Sequence, residues 1–297
     1  MSTTLRIVFY GLIGICGGLL AWPFAELVIY AQGGLYSNAL YSIVLGAVIG
    51  LFMGGAFGLG EGIIQKSGKK LVAGLVTGIV VGTIGGALGL VAGQEVIQLI
   101  GSRIFDNIQS LQDLPSIAAL SIGWAALGIF IGIVEGVRSR SFAKIRNGLL
   151  GGLIGGFLGG FLFNASIHLS IVDAFLARLF GLVILGFCIG LFYGLVEVRL
   201  ARASLLALNG PSKGQEILLT QRAMTIGMDE DAGMTIAGYT QVAPEHATIL
   251  RKKGAIVIQD NKSKAGTFVN DKKVTETVVD DGDVIRIGDA QFLLKKK

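Results

Sequence analysis

The sequence predicts an all-α bundle of six transmembrane helices over residues 1–204, a linker at 205–214 and an all-β sandwich over 215–297. Three observations carry that expectation. Thirty-eight of the 46 glycines lie at or before residue 210, whereas a soluble domain averages about 7% glycine. The same stretch holds six apolar runs, each at least as long as the roughly 20 residues a helix needs to cross about 30 Å of hydrocarbon. After residue 214 the apolar residues fall instead into short runs bounded by Gly, Asn and Asp, the pattern of strands joined by turns.

The six runs are Ile7–Tyr30, Ala39–Ile64, Leu71–Val96, Ile117–Val137, Leu149–Ile171 and Phe175–Val198. The first has no small-x-small cleavage site behind its core, so it reads as a retained span rather than a signal peptide. An alternation suited to an outer-membrane barrel is absent. Basic residues orient the bundle. Arg6, Lys66, Lys69, Lys70, Arg138, Arg140, Lys144, Arg146, Arg199 and Arg202 fall on one side, and only Arg103 and Arg178 on the other. Both termini are therefore expected in the cytoplasm, with membrane lipid as the bundle's surroundings. The formal charge of +5 is not a nucleic-acid footprint, because residues after 210 hold 13 basic against 12 acidic side chains.

The membrane part repeats itself. A shift of 74 residues carries Gly54, Gly58, Glu61, Gly62, Lys66 and Lys70 onto Gly128, Gly132, Glu135, Gly136, Arg140 and Lys144. A further shift of 62 carries Gly128, Gly132 and Glu135 onto Gly190, Gly194 and Glu197. Three two-helix hairpins, about 1–66, 67–140 and 141–204, are the economical reading. Glycines four apart (46 to 62, 74 to 86, 148 to 160) form zipper-like ladders on which neighbouring backbones approach closely. Glu61, Glu135 and Glu197 close the even-numbered spans, where a carboxylate meets the unfavourable end of the helix dipole. Two readings stay open for them: a polar ring that binds a cation or relays protons, or pairing with nearby bases such as Arg138. Glu26, Gln94, Glu95 and His168 stand toward the opposite surface.

Catalysis, cofactor binding and metal binding find no support. Cys16 and Cys188 sit apart in apolar runs, with no disulfide or zinc spacing. His168 lacks an HExxH or Cys partner, and the glycine-rich segments lack the Lys-Ser/Thr of a phosphate loop. No nucleophile–base pair emerges from spacing.

In the C-terminal part, strands are expected at Ile217–Leu219, Met224–Ile226, Ala247–Arg251, Ala255–Ile258, Thr267–Val269, Val284–Ile287 and Gln291–Leu294. Four blocks stand in order among them: Thr225-Ile226-Gly227-Met228; Val242-Ala243-Pro244-Glu245-His246; Ser263-Lys264-Ala265-Gly266-Thr267-Phe268-Val269-Asn270; and Asp281-Gly282-Asp283-Val284-Ile285-Arg286-Ile287-Gly288. This order resembles the forkhead-associated (FHA) family, a β-sandwich that typically reads phosphothreonine. The resemblance covers about the last 80 residues and implies framework roles for Gly227, His246, Gly266, Thr267 and Asn270. It also implies phosphopeptide contacts from an arginine, a serine, a basic residue and an asparagine. Here those positions hold Met228, Ala243, Pro244 and Ala265, none of which offers the side-chain donor or charge. Lys264 and the Arg251-Lys252-Lys253 run are the nearby sources of charge.

Together these features point to a non-enzymatic protein of a bacterial inner membrane. It presents an FHA-like protein-interaction domain, independent of phosphothreonine, as anchor or scaffold. The resemblance places it in signalling, beside Ser/Thr kinase components, with a homo-oligomer as a further expectation. The alternative is a small channel or transporter with a Glu61/Glu135/Glu197 ring and the FHA-like domain as its regulatory or assembly element.

Overall fold

The structure is a computed structural model that describes residues 2–34, 37–104, 113–168, 173–252 and 254–296, and side chains outside 96–104, 113–120 and 166–168. Six long helices come first: α1 (Thr3–Tyr30), α2 (Asn38–Gln65), α3 (Gly68–Ile104), α4 (Asp113–Arg138), α5 (Phe142–His168) and α6 (Ala174–Leu200). All six are long and apolar enough to cross a membrane. The side chains of Ser2, Ser37 and Asp173 cap α1, α2 and α6 by accepting the N–H of Leu5, Leu40 and Phe175, donors that have no partner inside the helix.

Tight turns of one geometry join α2 to α3 and α4 to α5. Lys66 (φ 53°) and Arg140 (φ 48°) take the left-handed conformation. The next N–H then returns to a glycine carbonyl five residues back, Ser67 to Gly62 and Ser141 to Gly136, both at 3.0 Å. This is the Schellman way of ending a helix.

Each helix packs on its neighbours in sequence, and α6 closes onto α1. The glycine ladders mark the closest approaches. A Cβ on Gly50, Gly54 or Gly58 of α2 would fall on the carbonyl oxygen of Gly82, Gly78 or Gly74 of α3. Gly128 and Gly132 of α4 meet Gly152 and Gly148 of α5 in the same way, and Gly14 of α1 meets Gly186 of α6. These seams therefore join α2 to α3, α4 to α5 and α6 to α1. They fall between the hairpins read from the sequence, not within them.

Large side chains fill the middle. Tyr10, Ile49, Met53, Phe57, Leu127, Ile131, Leu185, Ile189 and Tyr193 belong to one buried cluster. The outer faces are apolar as well: Leu12, Leu19 and Leu27 on α1, and Val72, Val76, Val80, Ile84 and Leu88 on α3, are all exposed. Exposed apolar faces this continuous mark surfaces of contact with lipid or with other protein.

The chain enters its first strand three residues after α6. The strands are β1 (Ala203–Ala207), β2 (Glu216–Leu218), β3 (Ala223–Gly227), β4 (Met234–Thr235), β5 (Ala247–Lys252), β6 (Ala255–Asp260), β7 (Thr267–Val269), β8 (Lys272–Val274), β9 (Glu276–Val279), β10 (Val284–Ile287) and β11 (Ala290–Lys296). They form two sheets, β2-β1-β11-β10-β7-β8 and β4-β3-β5-β6-β9. Leu205, Ile285, Ile287, Phe292 and Leu294 from the first face Ile226, Ile258 and Val279 from the second across one core. The seven strands expected from sequence are present, and β1, β4, β8 and β9 are additional. β1 also shortens the expected linker: Leu205 is paired with Leu294 and buried, so the sandwich begins at Ala203.

Candidate functional site

One end of the sandwich gathers the residues of the four sequence blocks. Gly227 ends β3 against the β4–β5 loop, where a Cβ would fall on the Pro244 carbonyl oxygen. The next two N–H groups, of Met228 and Asp229, donate to the carbonyls of Ala243 and Pro244 at 3.1 Å each. His246 is wholly buried and ties this loop to the next. Its Nδ1 accepts the Ala243 N–H at 3.0 Å, which leaves the ring proton on Nε2. That nitrogen faces the Gly266 carbonyl at 3.1 Å and the Ser263 hydroxyl at 2.8 Å.

The network continues outward. The Ser263 and Thr267 hydroxyls donate to Oδ1 of Asp260 at 2.6 and 2.7 Å. Burial pushes the Asp260 carboxyl up, but these donors outweigh it and hold the group below the usual carboxylate range. Gly266 (φ 79°) needs a backbone that only glycine adopts without strain. Asn270 sets the neighbouring turn, donating to Asp283 at 2.8 Å and accepting the Val284 N–H at 3.0 Å.

Met228, Ala243, Pro244 and Ala265 thus come together at one tip. Met228 and Pro244 are exposed, Ala243 and Ala265 half-buried, and the tip offers no side-chain donor from any of the four. Lys264 is exposed beside Ala265. Arg251 and Lys252 stand at the far end of β5, where Lys252 pairs with Glu276 at 2.5 Å; Lys253 lies outside the described residues. The loop that follows Met228 is acidic: Asp229, Glu230 and Asp231.

That acidic loop reaches the helical part. Glu230 accepts the Ser67 hydroxyl at 2.7 Å and the Lys69 N–H at 2.9 Å, and Asp231 pairs with the Lys69 ammonium. The two hydrogen bonds hold the Glu230 carboxyl below its ordinary range. The Lys70 ammonium donates to the Ala232 carbonyl at 2.6 Å and to the Thr235 hydroxyl at 2.9 Å, and also bonds Gln65.

Just behind this junction the three glutamates of the even helices lie together, all buried. Arg6 spans two of them: Nε and Nη2 donate to Glu197 at 2.8 and 3.0 Å, and Nη2 also to Glu61 at 3.0 Å. Lys144 reaches Glu135 at 3.0 Å and Glu61 at 3.6 Å. Arg138 takes both oxygens of Glu135, at 2.5 and 2.7 Å. Three carboxylates thus meet three cations. Burying a charge unpaired costs several kcal/mol, so the set stands as a unit.

At the opposite end Glu26 pairs with Arg178 at 2.5 Å. Gln94 is half-buried and Glu95 exposed. The side chains of Arg103 and His168 lie outside those described.

The sequence pattern pointed to the glutamates and the sandwich tip. It missed Arg6 and Lys144 as the carboxylates' main partners, Asp260 as the hub beside His246, and the docking of the 229–231 loop. An acidic triplet in one part and basic turns in the other were the visible signal for that docking.

Comparison with known proteins concerns the C-terminal part. No curated protein matches the chain. Among solved structures, the chain is similar to the FhaA FHA domain solved in complex with the intracellular domain of Rv3910, at 29% identity over 31% of this chain and 99% of that one, TM-score 0.29. It is similar to the Slr1951 protein from Synechocystis sp. at 29% identity, over 32% of this chain and 96% of that one, TM-score 0.30. The FHA domain of CT664 from Chlamydia trachomatis matches at 24% identity, over 32% and 98%, TM-score 0.30. Residues 224–288 match the family model of the FHA domain, and the sandwich at the end of this chain is thereby recognised as FHA-type.

Proposed function

We propose that this chain is an integral protein of a cytoplasmic membrane that presents its FHA-type domain on the cytoplasmic side, as anchor or scaffold for a protein partner recognised without phosphothreonine. The observation that carries the reading is the tip of the sandwich. The framework that shapes the loops is intact around His246, while Met228, Ala243, Pro244 and Ala265 stand where the family places its phosphate and peptide contacts. The triplet Asp229-Glu230-Asp231 next to Met228 adds negative charge where a phosphate would have to approach.

Charge-assisted hydrogen bonds contribute roughly 1.5–3 kcal/mol each. Losing the arginine and the serine together removes about 3–6 kcal/mol, or about two to four decades of affinity. The test is a titration of the full chain in lipid nanodiscs with matched phosphothreonine and unphosphorylated peptide libraries. The reading expects no preference for phosphate. Phosphate-dependent binding in the micromolar range would overturn it and direct attention to Lys264.

The bundle supports anchoring over conduction. Its middle is filled by Tyr10, Met53, Phe57, Leu127, Ile131, Leu185, Ile189 and Tyr193, and Glu61, Glu135 and Glu197 are each bonded to a cation. The equivalent turns at Lys66 and Arg140 favour a repeated hairpin, with the three glutamates as its repeated feature. In this reading they lock the helix ends. Ser/Thr kinase signalling components and a second copy of the chain are partners that co-purification from membranes would reveal.

A further inference from the structure

The turns α2–α3 and α4–α5 share a backbone but not a side-chain partner. In both, the serine hydroxyl accepts the N–H of the lysine three residues on: Ser67 from Lys70 at 3.2 Å, Ser141 from Lys144 at 3.4 Å. Lys144 then turns inward to the glutamate of its own turn, Glu135, at 3.0 Å. Arg6, at the start of α1, does likewise with Glu197 at the end of α6, at 2.8 Å. Lys70 breaks the pattern. Its ammonium bonds Gln65, whose amide in turn donates to Glu61, and otherwise reaches to the sandwich, where Ala232 and Thr235 accept from it. Glu61 is served instead by Arg6, by Gln65 and, at 3.6 Å, by Lys144.

We propose that the acidic β3–β4 loop is a reversible latch that holds the FHA-type domain on the α2–α3 turn by drawing Lys70 away from Glu61. Two sets of acceptors compete for one ammonium. Docked, Lys70 bonds Ala232, Thr235 and Gln65 and reaches Glu61 only through Gln65, while Glu230 holds Ser67 and the Lys69 N–H. Undocked, Lys70 turns to Glu61, and this turn takes the pairing already seen at Lys144–Glu135 and Arg6–Glu197. Part of the docked contact sits in solvent: Lys69 and Asp231 are more than half exposed, so salt screens their attraction.

The latch has a consequence for recognition. The loop that docks begins at Met228, on the same tip as Ala243, Pro244 and Ala265. Anything that grips the tip through this loop competes with the α2–α3 turn, so occupancy of the domain is reported at the buried charge cluster through one lysine. The latch operates whatever ligand the domain takes.

Hydrogen exchange on the full chain in nanodiscs reads the latch directly, because the Lys69 amide is itself bonded to Glu230. Glu230→Gln with Asp231→Asn weakens only the docked side and lies on an exposed loop. The Lys69 amide and the amides of 230–235 should then exchange roughly tenfold faster, as for a local opening, with the β5 and β6 amides unchanged. Raising the salt should act in the same direction. Lys70→Met should reproduce the opening, and adding it to the loop variant should produce little more. Glu61→Gln removes the competitor and should slow exchange at 230–235. Unchanged exchange in the loop variant, or strict additivity of the loop variant with Lys70→Met, would overturn the latch. Faster exchange at 230–235 in Glu61→Gln, with the α2–α3 seam still protected, would overturn the competition for Lys70.

Discussion

At His246 a single imidazole fixes two loops of the sandwich. It accepts from Ala243 on one side and faces Ser263 and Gly266 on the other, with Asp260 behind. Removing it leaves buried polar groups without partners, at about 1–3 kcal/mol each. His246→Ala should therefore lower the stability of the sandwich by several kcal/mol and speed exchange of the Ala243 and Gly266 amides, while the helical part is unaffected. Asp260 supplies a pH test. Its carboxyl is held below its ordinary range by Ser263 and Thr267, so its contribution is complete above the unfolded value of about 3.9 and is lost as pH falls through the lowered folded value. Acid unfolding of the sandwich should begin at higher pH in Ser263→Ala, and Asp260→Asn should flatten the acid limb. Asp283 and Asp289, also lowered, keep the limb from vanishing. The sequence exposed His246 and its neighbours because their order is a family signature. It did not expose Asp260, which stands outside the four blocks and matters only through the fold of the β6–β7 loop.

Among the elements, the glycine seams are the most exacting. Gly54 of α2 lies on the Gly78 carbonyl oxygen of α3, while Gly33, in the short turn after α1, has no atom near its missing Cβ. Gly54→Val should separate the helices and cost about 1–3 kcal/mol, the usual penalty of overpacking; Gly33→Val should be neutral. Thermal unfolding of the solubilised chain checks the contrast. The spacing of four made each ladder visible in the sequence. Which ladder meets which was hidden, because that depends on the ring closing α6 onto α1 through Gly14 and Gly186. Strand β1 was hidden for another reason. Ala203 to Ala207 continues the apolar, small-residue composition of α6, so no shift in composition announces the strand until it pairs with β11. The turn at Lys66 and its twin at Arg140 were legible as corresponding positions, but the different fates of Lys70 and Lys144 were not, since they arise from a contact between the two parts.

For the whole molecule, the apolar exterior, the filled interior and the basic helix turns are what the proposed membrane anchoring rests on, with the FHA-type domain on the side of the basic turns. The six long apolar helices and the β-sandwich that follows them were readable from composition and period. Their junction, with Glu230 on Ser67 and Lys70 on Thr235, was not, because the acidic triplet and the basic turns show the charges but not which of them meet across more than 160 residues. The central claim, a bundle that spans the membrane and holds the domain in the cytoplasm, is tested by single cysteines placed in a chain with Cys16 and Cys188 replaced by alanine. Gln32, Lys66, Arg140 and Lys264 are all exposed positions for the label. In intact cells an impermeant maleimide added outside should label Gln32→Cys and leave Lys66→Cys, Arg140→Cys and Lys264→Cys unlabelled until the membrane is opened. Labelling of Lys264→Cys or Arg140→Cys from outside intact cells, or all four positions reacting alike, would contradict the account.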